Sequence, residues 1–339
     1  MSLVRAELRR IFKRRVLRWM LLLVVALMAT VAVTTAATHY KPGPQALARA
    51  EAAAERSFQE QQQWLERDLA QCERAQQTGV DEGWPADCEE IHDWYASQEE
   101  MVEWFVPPAF EFRTGFPVMI AVLAGLLGMF AFVVGASFVG AEWRSGAMMN
   151  LLLWRPQRGQ VLGAKLAALL GVLAGLWLAL GAVWTAAFWL VANFRGITDT
   201  MTSGAWQSAS LAGARALALV LVAGAIGFAL ASLGRHTAMA MGSAIAAFVI
   251  GVAGAGTVVS MLRVSYLEAW LWPTYVTAWL QGSVTLVDFQ APCEPTGSVG
   301  ECIQPTMEIG WQLAGLGIGA ITVVLVGAAM WQMRRRDVT

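Results

Sequence analysis

The chain has 339 residues, 57% hydrophobic and only 14% charged, with a mean hydropathy of +0.50. Soluble domains carry about 45–50% apolar and about 25% charged residues, so this surplus cannot be hidden inside a water-soluble fold. A cytosolic enzyme and a disordered chain are excluded, a polytopic membrane protein is indicated, and a net charge of −1 offers no bulk field for nucleic acid.

Residues 1–15 open with Val4, Leu8, Ile11 and Phe12 at helical spacing, and Arg5, Arg9, Arg10, Lys13 and Arg14 on the other face. This reads as a basic amphipathic helix lying among lipid headgroups. The apolar run 16–37 follows as a first crossing (TM1); it is too long for the ~7–15-residue core of a signal peptide. Residues 38–114 are polar, with sixteen acidic and six basic side chains. Leu47, Ala54, Phe58, Leu65, Leu69 and Cys72 form one helical stripe, and Ile91, Trp94, Tyr95, Met101, Val102 and Phe105 a second. Gly79 and Gly83-Trp84-Pro85 break the chain between them, and Pro107-Pro108 ends the second arm. The pattern predicts an extracellular acidic helical hairpin packed along two apolar seams.

Five more apolar spans are predicted: 115–140, 161–193, 207–233, 237–262 and 309–332. Each is at or above the ~20 residues a crossing needs. The fold class is therefore all-α, with six transmembrane helices and both termini on one side. Placing the termini in the cytoplasm puts fifteen of the 24 cations in short inner segments, including 141–160 and the tail 333–339, as the positive-inside rule asks. All four cysteines then fall outside, where disulfides persist. Two pairs close in sequence suggest bridges Cys72–Cys88 and Cys293–Cys302, among the three connectivities that four cysteines allow. Residues 263–308 read as an extracellular re-entrant segment and disulfide loop. Within them 263–283 is apolar but interrupted by Pro273, and reads as a re-entrant or interfacial helix pair with an aromatic belt of Trp270, Trp272, Tyr275 and Trp279. Gly171/Gly175 and Gly315/Gly319 are small-residue pairs, and Gly251, Gly254 and Gly256 cluster; all permit close helix approach within the chain.

The loop 141–160 is the most specific stretch. Ser145 is placed to cap a short helix. Residues 147–154 are apolar, and Arg155-Pro156 stops them. Met148, Met149, Leu151, Leu152 and Trp154 would project from the membrane, and exposed apolar side chains need a covering surface. The pattern E-x-R-S-G, an apolar octet, R-P-x-R, then G-x-K entering a helix resembles the intracellular loop of ABC-2-type transporter permeases. The order of elements resembles that family over the whole chain except the acidic hairpin.

The resemblance implies a type V ABC exporter fold and a permease paired with a second permease subunit in the lipid bilayer. Two copies of a cytoplasmic ABC ATPase would bind ATP and Mg. The loop would be the coupling helix: Glu142 and Arg144 position it, Ser145 and Gly146 form its bend, and Met148 to Trp154 fill a groove in the ATPase. Arg155 and Arg158, flanking Pro156, would meet acidic groups or lipid phosphates. Transport of an amphipathic or lipid-like molecule or drug, outward across a bacterial plasma (inner) membrane, is the expected function.

The chain has no Gly-Lys-Ser/Thr and none of its three lysines follows a glycine, so ATP hydrolysis is expected on another polypeptide. No His-rich metal set and no G-x-S-x-G occurs; no catalytic residue is expected. Arg215, within about two turns of the outer end of the fourth span, is expected to snorkel to the interface. Contact to an anionic substrate headgroup or to Glu268 is the alternative that makes both candidates for the substrate path. Both Glu142 and Glu268 are expected at the membrane interface rather than buried. The alternative reading is a membrane sensor or scaffold that binds a ligand or peptide through its outer hairpin, without flux.

Overall fold

The computed structural model describes residues 7, 10–11, 14–78, 84–85, 87–154, 157–262, 264–288, 291, 294–295 and 302–335, with backbone alone for 151–154, 294–295 and 302–303. Six helices are long and apolar enough to cross a membrane. They are α1 (Arg15–Thr38), α4 (Phe112–Arg144), α6 (Arg158–Arg195), α7 (Ser203–Gly234), the composite span Thr237–Met261, and α11 (Trp311–Arg335). The shortest has 24 residues, about 36 Å at ~1.5 Å per residue, more than a ~30 Å hydrocarbon core. The composite span is α8 (Thr237–Phe248), a π-helical turn at Val249–Gly254, and α9 (Ala255–Met261). A continuous helix was the expectation here; instead the glycine cluster sits in and beside a widened turn, with Gly251 against the Trp272 ring. The remaining helices are α2 (Pro44–Thr78), α3 (Gln98–Phe105), α5 (Ala147–Trp154) and α10 (Trp272–Gln281).

The chain divides into two compact units, Met1–Thr30 with Arg113–Phe188 and Met201–Thr339, and Val31–Phe112 with Trp189–Thr200. In the first, buried Leu127, Phe130, Val134 and Phe138 of α4, Leu162, Leu169 and Leu173 of α6, and Val220 and Phe228 of α7 form the core. Glycines let α4 and α7 touch backbone to backbone. A Cβ on Gly135 would lie 2.3 Å from the Gly224 carbonyl oxygen, and one on Gly227 2.3 Å from that of Phe132. The glycine pairs expected from sequence do not do this: Gly171, Gly175 and Gly319 face open space, and Gly315 meets only the Trp279 ring. By contrast, no residue from Met241 to Leu262 is buried, and α1 and α11 expose Leu22, Val33, Leu316 and Val323. Helices apolar on all sides with so little covered are surfaces for hydrocarbon.

The broken segment before α11 is not the expected helix pair. One 3-10 turn (Leu267–Trp270) leads into α10, where Pro273 stands in the first turn. There its missing N–H costs nothing, so this proline starts a helix rather than interrupting one. Next come β1 (Ser283–Val287) and β4 (Thr306–Gly310), antiparallel with Val284 opposite Ile309 and Leu286 opposite Met307, and a shorter pair, β2 (Glu294–Pro295) and β3 (Cys302–Ile303). Leu286 and Ile309 turn inward onto Ala278 and Ala314, the period-two alternation of a half-buried ribbon.

In the second unit α2 is a single helix of 35 residues. The expected second arm is shorter and broken: a 3-10 turn (Cys88–Trp94) capped by Asp87, then α3. The break is local chemistry. Ser97 and Glu100 form a reciprocal capping box that starts a new helix, and those bonds hold the Glu100 carboxyl below its ordinary pKa. Of the two seams, Leu65, Cys72 and Ile91 are buried with Leu69, Cys88 and Tyr95 around them, whereas Trp94, Phe105 and Leu47 are exposed. The Tyr95 hydroxyl donates to Asp68, which raises its pKa. The expected Cys72–Cys88 disulfide is present, with sequence separation 16; closing a loop of that size contributes about 3 kcal/mol in the chain-entropy account. The other expected bridge involves Cys293, outside the described residues.

Candidate functional site

The loop between α4 and α6 is built on one glycine. α4 ends at Arg144, and Gly146 takes φ +71°, a left-handed conformation that costs glycine little. Its N–H donates to Trp143 O and its carbonyl accepts from Asn150 N, so the turn ends one helix and begins α5. Ser145 does not cap α5 through its hydroxyl, which points back to Glu142 O at 3.4 Å. Met148 is fully buried in its own chain, while Met149 is half-buried and Asn150 exposed. Leu151, Leu152 and Trp154 lie on α5, with only their backbone described; Arg155 and Pro156 fall outside the described residues. Arg144 is exposed and Arg158 half-buried.

At the base of this loop lies a buried charge cluster that sequence reasoning did not assemble. Glu142, expected at the interface rather than buried, is 7% exposed, and Lys165 is 0% exposed. Lys165 Nζ lies 2.7 Å from Glu142 Oε2 and 2.9 Å from Glu7 Oε2. Arg14 Nη2 lies 3.0 Å from Glu142 Oε1, and Arg14 Nη1 donates to Ser137 O at 3.0 Å. Arg10 reaches Glu7 from the surface at 3.3 Å. The buried Phe138 ring takes both cations on its π system, the Arg14 guanidinium at 5.0 Å and Lys165 Nζ at 5.1 Å. Burial pulls the Arg14 pKa down, and Glu142 and Glu7 oppose it.

Glu7, Glu142, Lys165 and Arg14 sum to zero charge. That neutrality, with the hydrogen bonds, is what makes so many ions tolerable away from water. Deleting one partner of such a set leaves its counter-ion buried, at a cost of about 3–5 kcal/mol. A sequence signal was present: Glu7 is the one acid among the basic residues of 1–15, and Lys165 one of only three lysines, in an apolar helix.

Close by, the Arg235 guanidinium stacks 4.9 Å over the Trp143 ring, and Arg235 itself turns left-handed (φ 54°) between α7 and α8. His236 Nδ1 accepts from Ala238 N to start α8.

Arg215 and Glu268 are not brought together by an ion pair. Arg215 is half-buried, its guanidinium 5.2 Å over the Trp311 ring, and its carbonyl accepts from Trp279 Nε1 at 2.9 Å. Gly282, at φ +102°, leaves room there; a Cβ would sit 3.2 Å from Arg215 Nη1. Glu268 is exposed on the rim of a cavity of about 150 Å³ shared with Tyr266, Leu286 and Asp288.

The family model described as ABC-2 family transporter protein matches residues 1–338. No curated protein and no solved structure matches the chain. Six apolar helices, a glycine-hinged apolar loop between the second and third of them, and a family match over almost every residue agree. The chain belongs to the ABC-2 family of transporter proteins and is a multi-pass permease component of an ABC transporter.

Proposed function

We propose that the chain forms half of the membrane pathway of an ATP-driven exporter of an amphipathic or lipid-like molecule. The observation that carries this reading is α5: an apolar octet, AMMNLLLW, raised on the Gly146 turn between two spans. An apolar helix outside the hydrocarbon needs a covering surface, and the groove of a separate cytoplasmic ATPase supplies one. Two such ATPase subunits bind ATP and Mg, and a second permease, the same chain or a related one, completes the pathway.

Both termini and α5 face the cytoplasm from a plasma (inner) membrane, because most of the arginines flank those ends. The hairpin then lies outside, where its disulfide persists, and Cys293–Cys302 forms a second bridge on the same side. Arg215 belongs to the substrate path: its guanidinium has no carboxylate in ion-pair range among the described residues, and a membrane cation without one marks a functional position.

Purified from its own host in mild detergent, the chain is expected to bring down a P-loop ATPase and MgATP hydrolysis with it. A chain that purifies alone from membranes in which that ATPase is expressed contradicts the reading and favours a sensor or scaffold.

A further inference from the structure

We propose that Lys165, clasped between Glu7 and Glu142, is a positioning residue that makes the N-terminal segment and the α5 loop move as one body when nucleotide binds. The inference rests on the coupling role proposed for α5 and adds the path by which its displacement leaves the loop.

The geometry is that of a closed noose. Glu142 stands two residues before the end of α4, and Lys165 two turns into α6. Their 2.7 Å contact ties the two stems of the loop together beneath α5. A push on α5 therefore cannot be absorbed by the stems splaying apart, and reaches both spans. The same ammonium holds Glu7 at 2.9 Å, and Glu142 holds Arg14 at 3.0 Å. Two crossed ion pairs thus fasten the segment before α1 to the loop's base, with Phe138 packed under both cations. Ion pairs in water are loose and screened. These are buried, where charge-assisted hydrogen bonds are short and directional, and they form a rigid joint rather than surface decoration. Arg10, exposed and 3.3 Å from Glu7, carries that joint to the protein surface.

The test uses the full chain with its copurified ATPase in lipid nanodiscs. Backbone hydrogen exchange is followed at residues 7–14 and 145–157, with and without MgATP and vanadate. In the unsubstituted complex both segments are expected to change protection on trapping. Lys165→Met alone is expected to lower the yield, because two carboxylates are left buried against one cation. Lys165→Met combined with Glu142→Gln restores neutrality and the yield; its loop still responds to trapping, but residues 7–14 do not. Lys165→Arg keeps both responses. A merely structural role predicts that the neutral double variant, once folded, behaves as the unsubstituted chain, and that result overturns the proposal. So does the absence of any response at 7–14 in an unsubstituted complex whose loop responds. Failure to recover an ATPase at all refutes instead the coupling reading beneath it.

Discussion

Replacing Ala147–Trp154 with a Gly/Ser linker of equal length is expected to abolish capture of the ATPase while leaving the membrane unit assembled. The spans should survive because the joint that holds their stems, Glu142 with Lys165, lies outside the replaced segment. The local loss is the packing of Met148, the one described side chain of α5 that is fully buried; removing a buried Met side chain costs about 2–5 kcal/mol. The loss at the partner surface is larger in effect. Central apolar anchors of an interface cost about 2 kcal/mol or more each on truncation, so removing several weakens binding by more than about 100-fold. Size-exclusion profile and ATPase copurification, measured side by side, separate the two. Unchanged copurification by the linker variant counts against α5 as the docking element.

Gly227→Ala is expected to disrupt the packing of α4 against α7. The new Cβ would sit 2.3 Å from the Phe132 carbonyl oxygen and 3.0 Å from its carbon. Both are backbone atoms of α4 and cannot rotate away, so the two helices must part along their whole crossing. Overpacking of this kind costs about 1–3 kcal/mol and sometimes more. Gly135→Ala, facing the Gly224 carbonyl at 2.3 Å, should behave the same way. Gly171→Ala points into open space and should leave the melting temperature in detergent unchanged or slightly higher, since alanine is the better helix former. Equal melting temperatures for Gly227→Ala and Gly171→Ala would show that α4 and α7 do not cross at these glycines.

That contrast marks where the sequence was legible and where it was not. Six spans could be read from composition because a membrane crossing needs only length and apolarity. Which glycines face a neighbour depends on how the helices rotate and cross, and G-x-x-x-G spacing alone selected Gly171 and Gly175 over Gly135, Gly224 and Gly227. The bend at Gly146 could be read because only glycine takes a left-handed turn cheaply. The capping role given to Ser145 could not, because its hydroxyl turns back onto the Glu142 carbonyl of the preceding helix. The ribbon of β1 and β4 escaped notice because its strands are separated by a long Pro/Gly stretch and alternate for only five residues each. The charge cluster escaped for another reason: its members are 158 residues apart in the case of Glu7 and Lys165, and no local pattern joins them. Each looked like a membrane-edge charge, which is what positive-inside anchoring alone would also place there.

The central claim is that α5 is seated on a separate nucleotide-driven ATPase. The direct measurement is a photo-activated crosslinker at the exposed Asn150, used in living cells of the native host, with Trp104 of the hairpin, 72% exposed, as the comparison site. The account predicts that irradiation at Asn150 yields an adduct containing a P-loop ATPase subunit, and that irradiation at Trp104 yields none. An Asn150 crosslinker that captures only lipid, or that yields the ATPase no more often than Trp104 does, contradicts it.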